Sequence, residues 1–190
     1  YISSQFLGFH SVFQFDIGLE IQPRYYWHIL ILGVILGLLG AFYNKMTIWV
    51  QSLYYKARGL NETTRLLIPF LLAGVLGLFV PQVLGSGHEL IENAAEGEML
   101  LGTLLGLLAL KFVFSLISFG SGAPGGIFFP LLVLGALIGG SYGTFAAQYM
   151  GLDPSYISNF VLLAMAGYFT AIVRAPITGI ILIFEMTGQV

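Results

Sequence analysis

Gly120-Ser121-Gly122-Ala123-Pro124-Gly125-Gly126-Ile127-Phe128-Phe129-Pro130 interrupts the chain between two long apolar runs. Its glycines allow backbone angles closed to other residues and let a ligand reach the main chain. Beyond the break the spacing predicts a helix from about Ile127. The first N–H groups of that helix have no carbonyl one turn back, and Pro130 has no N–H at all. Free donors and the positive end of the helix dipole then converge on one point, which suits an anion. Gly126, Ile127, Phe128 and Phe129 are therefore the candidate anion-binding residues. Phe128 and Phe129 would narrow the path and present mildly positive ring edges. Partial charges of this kind hold an anion weakly enough to release it, as conduction requires. The same spacing also fits an ordinary interhelical turn closed by a glycine cap.

The surroundings make the break informative. The 190 residues are 57% hydrophobic and 8% charged, with a mean hydropathy of +0.91. Soluble chains carry about 25% charged residues. The composition specifies a polytopic membrane protein, and inside a bilayer irregular backbone persists only where protein covers it or water reaches it. A net charge of −2 without a basic run gives no reason to expect a nucleic-acid partner, and the absence of cysteine excludes disulfide and thiol chemistry. His10, His28 and His88 share no metal-ligand spacing. The sequence has no nucleophile–base pair, phosphate-binding loop or dinucleotide fingerprint, so it is not expected to be an enzyme. No basic leader followed by a cleavage site is visible, and both ends read as cut from a longer chain.

Hydropathy predicts membrane spans over residues 25–55, 66–84, 99–119 and 127–148, against the roughly 20 residues a bilayer needs. Pro69 is expected in the first turn of its span, where proline is tolerated. Residues 85–98 read as a polar link. Two shorter runs follow, 160–173 and 177–187, of about 21 Å and 16 Å as helix. Between them stand Arg174, Ala175 and Pro176. Two half-length helices meeting at a buried break, as in transporters, are expected here; one long proline-kinked helix is the alternative. Gly33, Gly37 and Ala41, and Gly135, Gly139 and Gly143, recur every four residues and are expected to let helices approach closely. Tyr25, Tyr26 and Trp27 read as an interfacial belt. Lys56 and Arg58, flanked by Lys45 and Arg65, mark the link before the second span as cytoplasmic, and the link at 85–98, without Lys or Arg, as external.

Three charges bear on function. Lys111 lies mid-span, where an ionisable residue is a functional candidate. Either it faces the anion path or it belongs to a buried ion pair. Arg174 either faces the path or satisfies the carbonyls of the broken helix. Glu185 is either a proton-relay carboxylate or a structural acid. The spans otherwise lack the buried carboxylates a cation transporter needs.

The segment 121–130 closely resembles the chloride-site motif, G-x-F-x-P with its upstream S-G-x-P-G-G, of CLC chloride channels and chloride/proton antiporters. Arg174-Ala175-Pro176-Ile177-Thr178-Gly179, Phe184-Glu185-Met186-Thr187 and Asn44-Lys45 are similar to further patterns of that family, in the same order. The resemblance runs from about residue 25 to the end. It implies an all-α membrane fold of tilted and re-entrant helices, with residues 1–190 forming a partial transmembrane domain, mostly the second of two inverted repeats. It also implies a multi-pass protein of the cell's inner membrane, a homodimer with one pore per subunit, and chloride bound by the amides of Ile127 and Phe128. The ligand is chloride, with protons as a second partner in an exchanger, and no cofactor is expected. The family's serine motif, gating glutamate and pore tyrosine do not occur in these residues. Chloride/proton exchange is the expected activity; a passive chloride channel and a non-transporting scaffold subunit are the alternatives.

Overall fold

A computed structural model describes residues 21–57, 59, 61–85, 87–123 and 125–187. Seven α-helices occur among them. They are α1 (Tyr26–Lys56), α2 (Glu62–Phe79), α3 (His88–Glu96), α4 (Leu101–Gly120), α5 (Phe128–Tyr149), α6 (Ile157–Val173) and α7 (Pro176–Thr187). Short 3-10 turns at Pro23–Tyr25, Pro81–Val83 and Pro154–Tyr156 lead into or link them. Each opens on a proline, whose fixed φ suits a helix start. Among the described residues five helical segments are long and apolar enough to cross a membrane. No strand occurs among the described residues.

α5 is the axis of the fold. Every residue from 131 to 144 along it is buried, and α3, α4 and α6 pack around it. Its small residues explain how the neighbours come so near. A Cβ built on Gly135 would fall 2.7 Å from the Met165 Cα, and one on Gly143 would fall 3.3 Å from the Ile157 Cγ1. Rising numbers on α5 meet falling numbers on α6, so the two helices run antiparallel along a glycine seam. Gly140 faces α3 instead, with the Ala94 carbonyl oxygen 3.1 Å from its Cβ position.

α1 buries only a narrow stripe, with His28, Leu32, Leu36, Gly40 and Tyr43 spaced three or four residues apart. Gly33, Gly37 and Ala41 lie on its exposed face. The expected close approach at that row does not occur among the described residues; the inward small residue is Gly40, opposite Ala171 of α6. Tyr25 is also buried, tilted against Tyr156 with centroids 5.2 Å apart. Only Tyr26 and Trp27 of the expected belt are exposed.

Other expectations change in length. α2 begins at Glu62, so Pro69 sits inside it rather than in its first turn. The sequence signal for that earlier start is Asn61, a residue type favoured just before a helix. Residues 85–98 are not merely a link, since they contain α3. Leu90, Ile91, Ala94 and Ala95 form its buried face, while Glu89, Glu92 and Glu96 are not buried. Gly87 (φ 76°) and Gly97 (φ 72°) bound it in the left-handed region that glycine enters freely.

α6 is longer than the run 160–173. With its leading turn it covers Pro154–Val173, 20 residues, enough to span. Asp153 starts it by accepting the Ser155 amide at 3.0 Å and hydroxyl at 2.7 Å. These bonds, the hydroxyl's foremost, hold the Asp153 carboxyl below its usual range. α7, at 12 residues, remains short. The two are separate helices, because Arg174 turns the chain with φ 60° and ψ 33°. The break is not buried: Arg174 and Pro176 are exposed. Gly179 lets α7 fold back on α6, its Cβ position being 2.8 Å from the Thr170 Oγ1.

Candidate functional site

The break begins with a capped helix end. At the end of α4 the Ser121 amide donates to the Ile117 carbonyl at 3.1 Å, and the Gly122 amide to the Phe119 carbonyl at 3.2 Å. Gly122 has φ 80°, so this turn requires glycine. The Ser121 hydroxyl donates to the Ser118 carbonyl at 2.7 Å and accepts from the Ala123 amide at 3.2 Å. These bonds account for the donors on the α4 side.

The α5 side is different. Ile127 caps α5 without a side-chain hydrogen bond. The Leu131 amide donates to the Ile127 carbonyl at 3.2 Å. The amides of Ile127, Phe128 and Phe129 precede that bond, and a helix start offers them no carbonyl. Gly125 and Gly126 are exposed, with nothing within 4 Å of their Cβ positions. Ile127 is 48% exposed. The start of α5 thus offers its amides beside bare backbone.

Aromatic rings hold this end in place. Phe128 meets Phe169 of α6 edge-on, with centroids 5.4 Å apart and planes at 84°. Phe129 meets Phe128 at 5.4 Å and His88 of α3 at 5.6 Å. Such edge contacts are favourable and directional. The start of α5 is therefore fixed to both α3 and α6.

Lys111, Arg174 and Glu185 stand apart from it. Among the described residues no hydrogen bond joins any of them to residues 126–129. Lys111 is 4% exposed and donates to the Val83 carbonyl at 2.6 Å. Its partner is a main-chain oxygen rather than the carboxylate of an ion pair. Arg174 is exposed at the corner between α6 and α7, and Glu185 is exposed on α7. Substituting Lys111 by Met should destabilise the protein by about 1–3 kcal/mol, since it leaves the buried Val83 carbonyl unsatisfied. Chloride affinity should not change. Denaturation in detergent and chloride titration of the same variant check both statements; reduced affinity at unchanged stability would place Lys111 on the anion path instead.

Sequence reading missed three polar pairs. His28 is fully buried, and its Nδ1 lies 2.9 Å from the Tyr142 hydroxyl. The Tyr43 hydroxyl donates to the Ser115 Oγ at 3.2 Å, and Ser115 to the Phe112 carbonyl at 2.9 Å. The Asn44 side chain donates to the Ile172 carbonyl at 3.4 Å, beside the break after α6. A polar residue inside an apolar span was the available signal in each case.

A family model described as voltage gated chloride channel matches residues 1–190. The chain belongs to that family. A crystal structure of a slow cyanobacterial Cl−/H+ antiporter has the same fold, with a TM-score of 0.84 at 24% sequence identity. The match covers 98% of this chain and 44% of the antiporter's, so the chain spans less than half of that protein's length. The voltage gated chloride channel fold and the five apolar segments make this an integral, multi-pass membrane protein.

Proposed function

We propose that the chain forms the anion-binding part of a chloride transporter, with chloride held by the amides of Ile127 and Phe128. The observation that carries this reading is the uncapped start of α5 beside exposed Gly125 and Gly126. Gly126 leaves room for the ion, and Phe129 flanks it. Amides and the helix dipole stand in for part of the water that chloride sheds. Lys111 braces the Val83 turn, and Arg174 and Glu185 have no part in the anion site. No enzymatic step and no cofactor are proposed.

Residues 1–190 act as one partial transmembrane domain of a larger pore, in a homodimer set in the cell's lipid bilayer. The link at 56–65 faces the cytoplasm, a reading supported by its Lys and Arg residues. Chloride/proton exchange is the favoured activity, supported by the fold shared with a Cl−/H+ antiporter. Passive conduction is the second reading, favoured by the description of the matching family.

Proton movement driven by a chloride gradient, in liposomes holding the full-length protein, separates them. Uphill proton movement is expected. Chloride flux without it would make the protein a channel. Neither flux, in folded protein, would reject transport and leave a scaffold role.

A further inference from the structure

His88 is the first residue of α3 and borders a cleft of about 540 Å³, lined also by Gln82, Gly85, Gly87 and Glu89. Its ring also meets Phe129, with centroids 5.6 Å apart and planes at 61°. Phe129 in turn meets Phe128. One histidine therefore touches both an open cleft and the residues at the start of α5. Packing fixes the start of α3. Gly87 lies against the Val133 side chain, which leaves no room for a Cβ. Leu90, Ile91, Ala94 and Ala95 bury the inner face of α3.

We propose that His88 is a positioning residue that makes anion binding at α5 respond to pH through Phe129. The inference rests on the chloride site proposed above. Histidine changes charge between about pH 5 and pH 8. A protonated ring is drawn to an aromatic neighbour and holds Phe129 more firmly. It also adds a positive charge close to the bound anion.

The surrounding charges leave this role to His88. α3 itself carries Glu89, Glu92 and Glu96, and Glu98 follows it. The elements packed against it are α5, α6 and the Pro81–Val83 turn. None of these contains Asp, Glu, Lys, Arg or His; their titratable side chains are Tyr142, Tyr149 and Tyr168. From α4, Lys111 reaches the Val83 carbonyl at the edge of this region.

The test is chloride binding by calorimetry on the full-length protein, at about pH 8 and about pH 5.5. Wild-type affinity should rise roughly three- to tenfold on acidification. His88→Phe keeps a ring against Phe129 but does not titrate, so it should lose most of that rise. His88→Gln, which lacks the ring, should lose it too. A wild-type pH profile in either folded variant would overturn the role of His88 while leaving the chloride site intact. A wild-type protein that binds no chloride at either pH would overturn the site, and this inference with it.

Discussion

Replacing Ile127 by Pro should weaken chloride binding about 10- to 100-fold while the protein still folds. Proline removes one amide donor from the start of α5 and changes little else. Ile127 has φ −86°, near the range of proline, and precedes the first residue of the helix. Its amide donates to no carbonyl of the helix, so no structural bond is broken. A hydrogen bond to a charged partner contributes about 1.5–3 kcal/mol, which sets the expected change in affinity. Ile127→Ala is the matching control, because it shortens the side chain and keeps the amide. It should bind chloride as the wild type does. Equal losses in both variants would assign the effect to the side chain and reject the amide site.

The largest effect on stability is expected at Gly139. A Cβ there would lie 2.6 Å from the Phe160 carbonyl oxygen and 2.7 Å from both the Val161 Cα and the Ala164 Cβ. Two of these are backbone atoms, which no rotamer change can move aside. Gly139→Ala must push α5 and α6 apart, at a cost of about 1–3 kcal/mol. Gly139→Leu should prevent folding. Because α6 carries Phe169, the partner of Phe128, displacement of α6 should also weaken chloride binding. Gly37→Ala is the contrast: nothing lies within 4 Å of its Cβ position, and stability should not fall. Thermal unfolding of the three variants in detergent distinguishes a specific seam from a general intolerance of larger residues.

The two predictions draw on parts of the sequence that differ in how much they reveal. The start of α5 is readable to within one residue, because glycines and Pro130 signal their backbone geometry locally. The Gly135–Gly139–Gly143 seam is readable as a four-residue repeat. The similar row at Gly33, Gly37 and Ala41 forms no seam among the described residues, since periodicity identifies a face without identifying what lies against it. α3 was hidden by its own charges: Glu89, Glu92 and Glu96 make nine residues look like a loop while Leu90, Ile91, Ala94 and Ala95 form a buried face. The first turn of α6 was hidden in the same way. Ser158 and Asn159 look like loop residues, yet the Ser158 hydroxyl donates to the Ala95 carbonyl at 3.0 Å.

Long-range pairing was the least legible. Lys111 meets the Val83 carbonyl across 28 positions, and His88 meets Phe129. Neither spacing follows a helical period. An intramembrane lysine invites the search for a carboxylate, but a bare main-chain oxygen in a proline-led turn satisfies it here. For the same reason the ring chain from His88 through Phe129 and Phe128 to Phe169 emerges only from the packing of three helices. The sequence motif marks the proposed anion site; the packing determines what holds that backbone still.

Bromide in place of chloride, in crystals of the full-length protein, tests the central claim most directly, because its anomalous scattering locates the ion. The account predicts a peak in hydrogen-bonding contact with the amides of Ile127 and Phe128, lost in Ile127→Pro crystals. Bromide bound elsewhere, with none at the start of α5, would contradict it.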